Sequence, residues 1–276
     1  MRRDGPSGMP LDVDVYVRSQ TELRSLKSQL PEDTVESLAR EVIRRLTARE
    51  TGLSISKPSD ATIVVLCHAL LSDDDHAGAQ FIQGIKTDGA SVEVVYLEYL
   101  ARAARMLGEW WENDQISFMS VTLGTSRMYA IMRGMQRSFL ARKSGPQRAA
   151  LFASVPGETH TLGVRMAADL FRKDGWDVTL KLGVSHEELV DHVEASDTVL
   201  IGVSAAGLHS VKALSRLAVA LRICKPSAKL FVSGNALAEA GDAIGLMGFD
   251  GVANDIQTAR DLMATLWEEI GCEDEG

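Results

Sequence analysis

The sequence predicts a helical bundle followed by a doubly wound parallel α/β sheet, and a change of rhythm along the chain is the reason. From residue 59 to 143 apolar residues recur every three or four positions, as on helices with one buried face. From residue 149 onward, short apolar runs alternate with amphipathic stretches, which marks strand–helix–strand units. The segment "RKSGPQRA", residues 142–149, separates the two regimes with Gly and Pro.

Ahead of the bundle, "PEDTVESLAREVIRRLTARE" carries Val35, Leu38, Val42 and Leu46 at helical spacing, and "TGLSISKPSDA" reads as a linker. Residues 1–58 are therefore expected to form an extension with one helix. Four helices follow, in "ATIVVLCHALL", "HAGAQFIQGIK", "SVEVVYLEYLARAARMLGEWW" and "ISFMSVTLGTSRMYAIMRGMQRSFL". The third has an apolar stripe running from Val92 and Val95 through Tyr96, Tyr99 and Leu107 to Trp110 and Trp111. The fourth repeats the rhythm with Phe118, Val121, Thr125, Met128, Met132, Met135 and Phe139. Short connections make this an antiparallel four-helix bundle over residues 59–143. The strands are "AALFASV", "DVTLKLG", "TVLIGVS", "KLFVSG" and "DGVAND", giving a Rossmann-like domain over 149–276 with the five-stranded flavodoxin-like order.

Composition bounds the function. A chain of 276 residues, 45% hydrophobic, can bury one large core or two modest ones, and two domains are expected. No apolar run approaches the ~20 residues of a membrane span, and the amino-terminal residues lack the apolar middle of a signal peptide. A cytoplasmic protein with no membrane partner is expected. Cys67, Cys224 and Cys272 are too few and too scattered for a disulfide framework or a cysteine metal site. A net charge of -9 argues against direct nucleic-acid binding. Yet no acidic residue lies between Asp114 and Glu158, a span that holds Arg127, Arg133, Arg137, Arg142, Lys143 and Arg148. Such a stretch is either a solvated helix face or a docking surface for an acidic partner or phosphates.

Chemistry is expected at the carboxyl ends of the strands, where open parallel sheets bind ligands. The loop after the first strand reads "GETHTLG" and contains Glu158, His160 and Gly163. Glu158 can hold one ring nitrogen of His160 and leave the other nitrogen's lone pair for a metal, while Gly163 would let the next helix approach closely. On this motif alone, a loop histidine with a hydrogen-bonding Glu is the favoured reading. The third strand places Ser204 at the same edge, and the fourth places Ser233 and Gly234 there.

A histidine loop, a serine and a small-residue pair at these spacings resemble the cobalamin-binding domain of corrinoid proteins. The resemblance implies His160 as the cobalt ligand of cobalamin, hydroxo- or adenosylcobalamin, with Glu158 as its partner in place of the usual Asp. It implies Ser204 as a contact of the cofactor's nucleotide tail and Ser233–Gly234 as the small pair beside that tail, with Ser in place of the usual first Gly. The helical half resembles the bundle that precedes this domain, and "LGEWWENDQIS" matches that family's Gly-x-x-Trp followed by an acidic turn. By that match Trp111, with Trp110 as its rival, covers the upper face of the corrin; the alternative is that both are core. Light-sensing relatives carry a Glu-His pair on the next helix, which "QISFMSVT" lacks.

No catalytic barrel accompanies these domains, so enzyme activity is not expected. The layout resembles the PpaA/AerR type of cobalamin-binding antirepressor, which implies a regulator of transcription acting through a DNA-binding repressor of the CrtJ/PpsR type. The alternative from the same family is a corrinoid methyl carrier serving separate methyltransferases.

Overall fold

The computed structural model describes residues 57–135 and 148–274. The expected helix within 31–50, and Arg137, Phe139, Arg142 and Lys143, lie outside them. The helical layer begins with α1 (Asp60–Leu71), whose start is fixed by Ser59 accepting from the Thr62 backbone N–H at 3.2 Å. Ile63, Leu66, Cys67 and Leu70 form its buried face. After α2 (Ala77–Thr87) comes α3, which starts at Val92–Val94, widens into a π-helical stretch over Val95–Leu100 and continues as Ala101–Glu112. The π stretch buries Val95, Tyr96, Tyr99 and Leu100 together, a local irregularity that the helical period does not reveal. The last bundle helix, α4 (Phe118–Met135), buries Met128, Met132 and Met135 as its rhythm predicts.

Two expectations in the bundle are corrected. Phe118 opens the predicted stripe of α4 but is 70% exposed, because at the first turn its ring meets only the last turn of α3, at the exposed Trp111. Arg127 does not offer its charge to solvent: it donates to the carbonyls of Leu70 at 2.8 Å and Ser72 at 2.7 Å and pairs with Asp75. It satisfies the carbonyls that the end of α1 leaves open.

The second layer is a five-stranded sheet in the order β2-β1-β3-β4-β5, with all neighbours parallel. Its elements are β1 (Ala149–Ser154), α5 (Leu162–Lys173), β2 (Asp177–Lys181), α6 (His186–Ala195), β3 (Leu200–Ser204), α7 (Leu208–Cys224), β4 (Lys229–Ser233), α8 (Ala236–Gly245), β5 (Gly251–Ala253) and α9 (Ile256–Asp274). Both faces are covered, as a parallel sheet requires. Leu151, Ile201, Val203 and Leu230 face Leu189, Leu214 and Leu217 on one side, while Phe152, Leu200 and Phe231 face Phe171, Met263 and Leu266 on the other. This order makes β1 and β3 neighbours, so the loops that follow them meet at one point of the carboxyl edge.

Polar contacts join the two layers. Tyr96 donates to Asp169 on α5 at 3.0 Å, a buried bond, and burial followed by the Asp169 charge pushes the phenol's pKa up. Nearby, Arg260 of α9 binds Glu93 at 2.7 Å and Asp174 at 2.7 Å, and Lys173 reaches Glu93 at 3.2 Å. The Arg260 bond lowers the Glu93 pKa against its partial burial. A group lowered in this way stabilises the fold above the ordinary glutamate pKa of ~4.3 and ceases to do so as pH falls through its folded value. The melting temperature of wild type should therefore exceed that of Glu93→Gln at pH 7, and the gap should close progressively below pH ~4; a gap constant with pH would contradict this.

Candidate corrinoid site

The site is assembled at the junction of β1 and β3. After β1, Pro156 and Gly157 turn the chain: the Glu158 N–H bonds the Val155 carbonyl at 2.9 Å, and Gly157 has φ +84°. That arrangement suits Pro then Gly at the centre of a type II turn and drives Glu158 back beneath the loop. Its side chain is fully buried. One carboxylate oxygen accepts from the backbone N–H and lies 2.8 Å from Nδ1 of His160. The other accepts from Ser210 Oγ at 2.5 Å and the Ala206 N–H at 3.1 Å, and lies 3.2 Å from Nε2 of His209.

Burial by itself raises a carboxyl's pKa. Here the bonds from Ser210, from the backbone and ring of His160 and from Ala206 prevail and hold Glu158 down to about 2. At neutral pH it is a carboxylate, which only accepts. His160 therefore carries its proton on Nδ1, and its Nε2 presents a lone pair on a ring that is 68% exposed. A carboxylate that holds one ring nitrogen in this way leaves the other oriented and able to bind a metal.

The serines converge as well. Ser154, Ser204 and Ser233 pair in register across β1, β3 and β4 and so share one face at the carboxyl edge. Ser154 Oγ is buried with no hydrogen-bond partner among the described residues, and a ligand group could complete this polar row. Gly234 has φ +111°, and a Cβ there would overlap the Ala205 carbonyl oxygen. The expectation for Gly163 is corrected: a Cβ there would meet nothing, since this residue faces open space beside the histidine loop rather than a packed helix. Trp110 is half-buried with its ring 5.3 Å from His68, whereas Trp111 is 44% exposed and lies 6.2 Å from the exposed Phe118 ring. Neither tryptophan belongs to the buried core of the described residues.

Sequence reasoning missed Ser210 and His209. The signal was present in "GLHS": two polar side chains in the first turn of the helix after β3, at the edge where the β1 loop also ends.

A helical layer ahead of a five-stranded parallel sheet is the arrangement seen in corrinoid proteins. Residues 148–258 match the B12-binding domain family. It is 28% identical over 170 residues to an uncharacterized 20.5 kDa protein of the bchF-crtJ intergenic region of Rhodobacter capsulatus, covering 60% of this chain and 88% of that one. Among solved structures, the monomethylamine corrinoid protein of Methanosarcina barkeri shares the fold at a TM-score of 0.63 and 16% identity, over 75% of this chain and all of that one. A cobalamin-binding protein of Desulfitobacterium hafniense matches at a TM-score of 0.41 and 13% identity, covering 75% of this chain and 97% of the other. Among the described residues no helix is long and apolar enough to cross a membrane.

The residues present fit the group this family binds: an exposed imidazole lone pair, a buried unpaired hydroxyl in a polar row, and open space beside the loop. Glu158→Gln should weaken hydroxocobalamin binding by ~10–100-fold, because a residue that orients a ligand without touching the metal contributes on that scale. A spectral titration checks this; unchanged affinity would show that the carboxylate does not orient the ring.

Proposed function

We propose that His160 holds cobalamin and that the protein is a transcriptional regulator, an antirepressor whose cofactor state governs its affinity for a DNA-binding repressor of the CrtJ/PpsR type. When bound, cobalamin supplies a cobalt that takes one ligand from the protein and exchanges another. The chain's own residues do the rest: Glu158, anchored by Ser210 and the Ala206 N–H, fixes the tautomer of His160, and the row of Ser154, Ser204 and Ser233 offers hydrogen bonds to the cofactor's tail. Trp111 and Phe118, exposed and with rings 6.2 Å apart, form an apolar pair suited to shielding a flat cofactor face.

One observation carries the regulatory reading. Tyr129 of α4 meets Thr161 at 3.0 Å, one residue beyond His160, and Arg165 stacks on the same ring at 5.3 Å. A change at the histidine loop thus reaches the bundle directly, and a ligand that favours one bundle–sheet arrangement shifts the population a partner recognises. The relative from the bchF-crtJ intergenic region supports a role near photosynthesis genes. The methyl-carrier reading shares the fold, and the fold does not separate the two.

The deciding experiment compares spectra of the purified protein after incubation with hydroxocobalamin, adenosylcobalamin and haem, in darkness and after illumination, and then repressor pull-downs with and without the bound cofactor. A shifted corrin spectrum and cofactor-dependent capture are expected, the capture weakened when Arg133 and Arg137 are both changed to Glu. Capture that ignores cobalamin, together with methyl transfer to a thiol acceptor by a separate methyltransferase, would establish the carrier instead.

Trp111→Ala should alter upper-face ligand exchange while His160 ligation and the melting temperature stay near wild type. A fall of several degrees with unchanged exchange would mark Trp111 as a packing residue.

A further inference from the structure

Glu158, His160 and His209 each offer a ligand atom, all within 4.8 Å of one another. The carboxylate is buried, and the two rings, 68% and 58% exposed at the side chain, stand 5.9 Å apart by their centroids. Two imidazole nitrogens and one glutamate oxygen with an open side to solvent are the donor set of a zinc site that keeps a position for water. Metal–ligand bonds of ~2.0–2.2 Å place tetrahedral donors about 3.4 Å apart, a span the exposed rings reach by small rotations. Glu158 also offsets the unfavourable field for a cation near the amino end of α7, because its full negative charge outweighs the roughly half charge of a helix terminus.

We propose that in the cobalamin-free protein His160, His209 and Glu158 form a site for a divalent cation of the zinc class, and that the occupied site excludes cobalamin. The exclusion follows from imidazole chemistry and rests on His160 being the cobalt ligand. In the ion-free site His160 Nδ1 and His209 Nε2 both point at Glu158. A neutral imidazole has one lone pair and one N–H. When the cation takes the Nδ1 lone pair of His160, the ring proton resides on Nε2, the atom that would otherwise meet cobalt. His209 makes the converse exchange, from Nε2–H to Nδ1–H, and no net proton is released. One residue, His209, thus adds to the cofactor ligand a second ligand that competes for it.

The test titrates the cofactor-free full chain with Zn2+ by calorimetry, alongside His209→Ala and His209→Gln, with circular dichroism confirming the fold; His209 is exposed, so neither change opens a cavity. One equivalent of Zn2+ should bind wild type, with affinity at least tenfold lower in both variants, while hydroxocobalamin still shifts its spectrum with either variant. Saturating Zn2+ should suppress that shift in wild type and not in His209→Ala. Absence of Zn2+ binding to wild type, equal affinity in the variants, or simultaneous binding of both ligands without mutual effect would overturn the proposal. Failure of hydroxocobalamin to bind even without Zn2+ would instead overturn the cobalamin reading and leave the zinc titration to stand by itself.

Discussion

His160→Ala should leave the protein folded and remove cobalamin binding. The side chain is 68% exposed, so its truncation opens no cavity. Glu158 loses one ring partner but keeps the backbone N–H groups of residue 160 and Ala206 and the hydroxyl of Ser210, so the buried charge stays satisfied. What disappears is the Nε2 lone pair that His160 presents at the switch point. Losing a residue that merely orients a metal ligand costs ~10–100-fold, and losing the ligand itself should cost more than about 100-fold in hydroxocobalamin affinity. Spectral titration with a parallel melting curve measures both quantities. Wild-type affinity and spectrum in the variant would remove His160 from the site.

Gly234→Ala should destabilise the sheet domain more than any other single methyl discussed above. The residue has φ +111°, where a side chain is strained, and the new Cβ would overlap the Ala205 carbonyl oxygen. Neither partner yields easily: the Ala205 N–H bonds Ser233 at 2.9 Å, and its carbonyl accepts from Ala236 at 3.2 Å. Backbone strain and overpacking each cost ~1–3 kcal/mol, and together they lower the melting temperature by roughly 5–15 °C for a domain pair of this size. Gly163→Ala is the control. Its Cβ would meet nothing, and an alanine in the first turn of α5 should hold or slightly raise stability. Equal melting temperatures for the two variants would show that the close approach of the β3 and β4 ends is not a constraint.

Periodicity determined the order of helices and strands over the described residues and the five-stranded parallel sheet, and closeness in one loop determined the pairing of Glu158 with His160. Each depends on residues close in the chain: a period of two or of three to four sets which face is apolar, and two residues in one loop meet whatever surrounds them. The tertiary structure decided the rest. His209 and Ser210 reach Glu158 only because β1 and β3 are neighbours, a contact across 51 and 52 positions of sequence. Arg127, one more cation of an acid-free stretch in the sequence, is taken up by the carbonyls at the end of α1. Phe118 and Trp111 keep the helical rhythm yet remain exposed, and Gly163 and Gly234, alike as letters, face open space and a carbonyl oxygen. Apolar patterning encodes which side of an element is covered. It does not encode which distant polar group a side chain meets, because burial has no direction whereas hydrogen bonds require a partner at a set distance and angle.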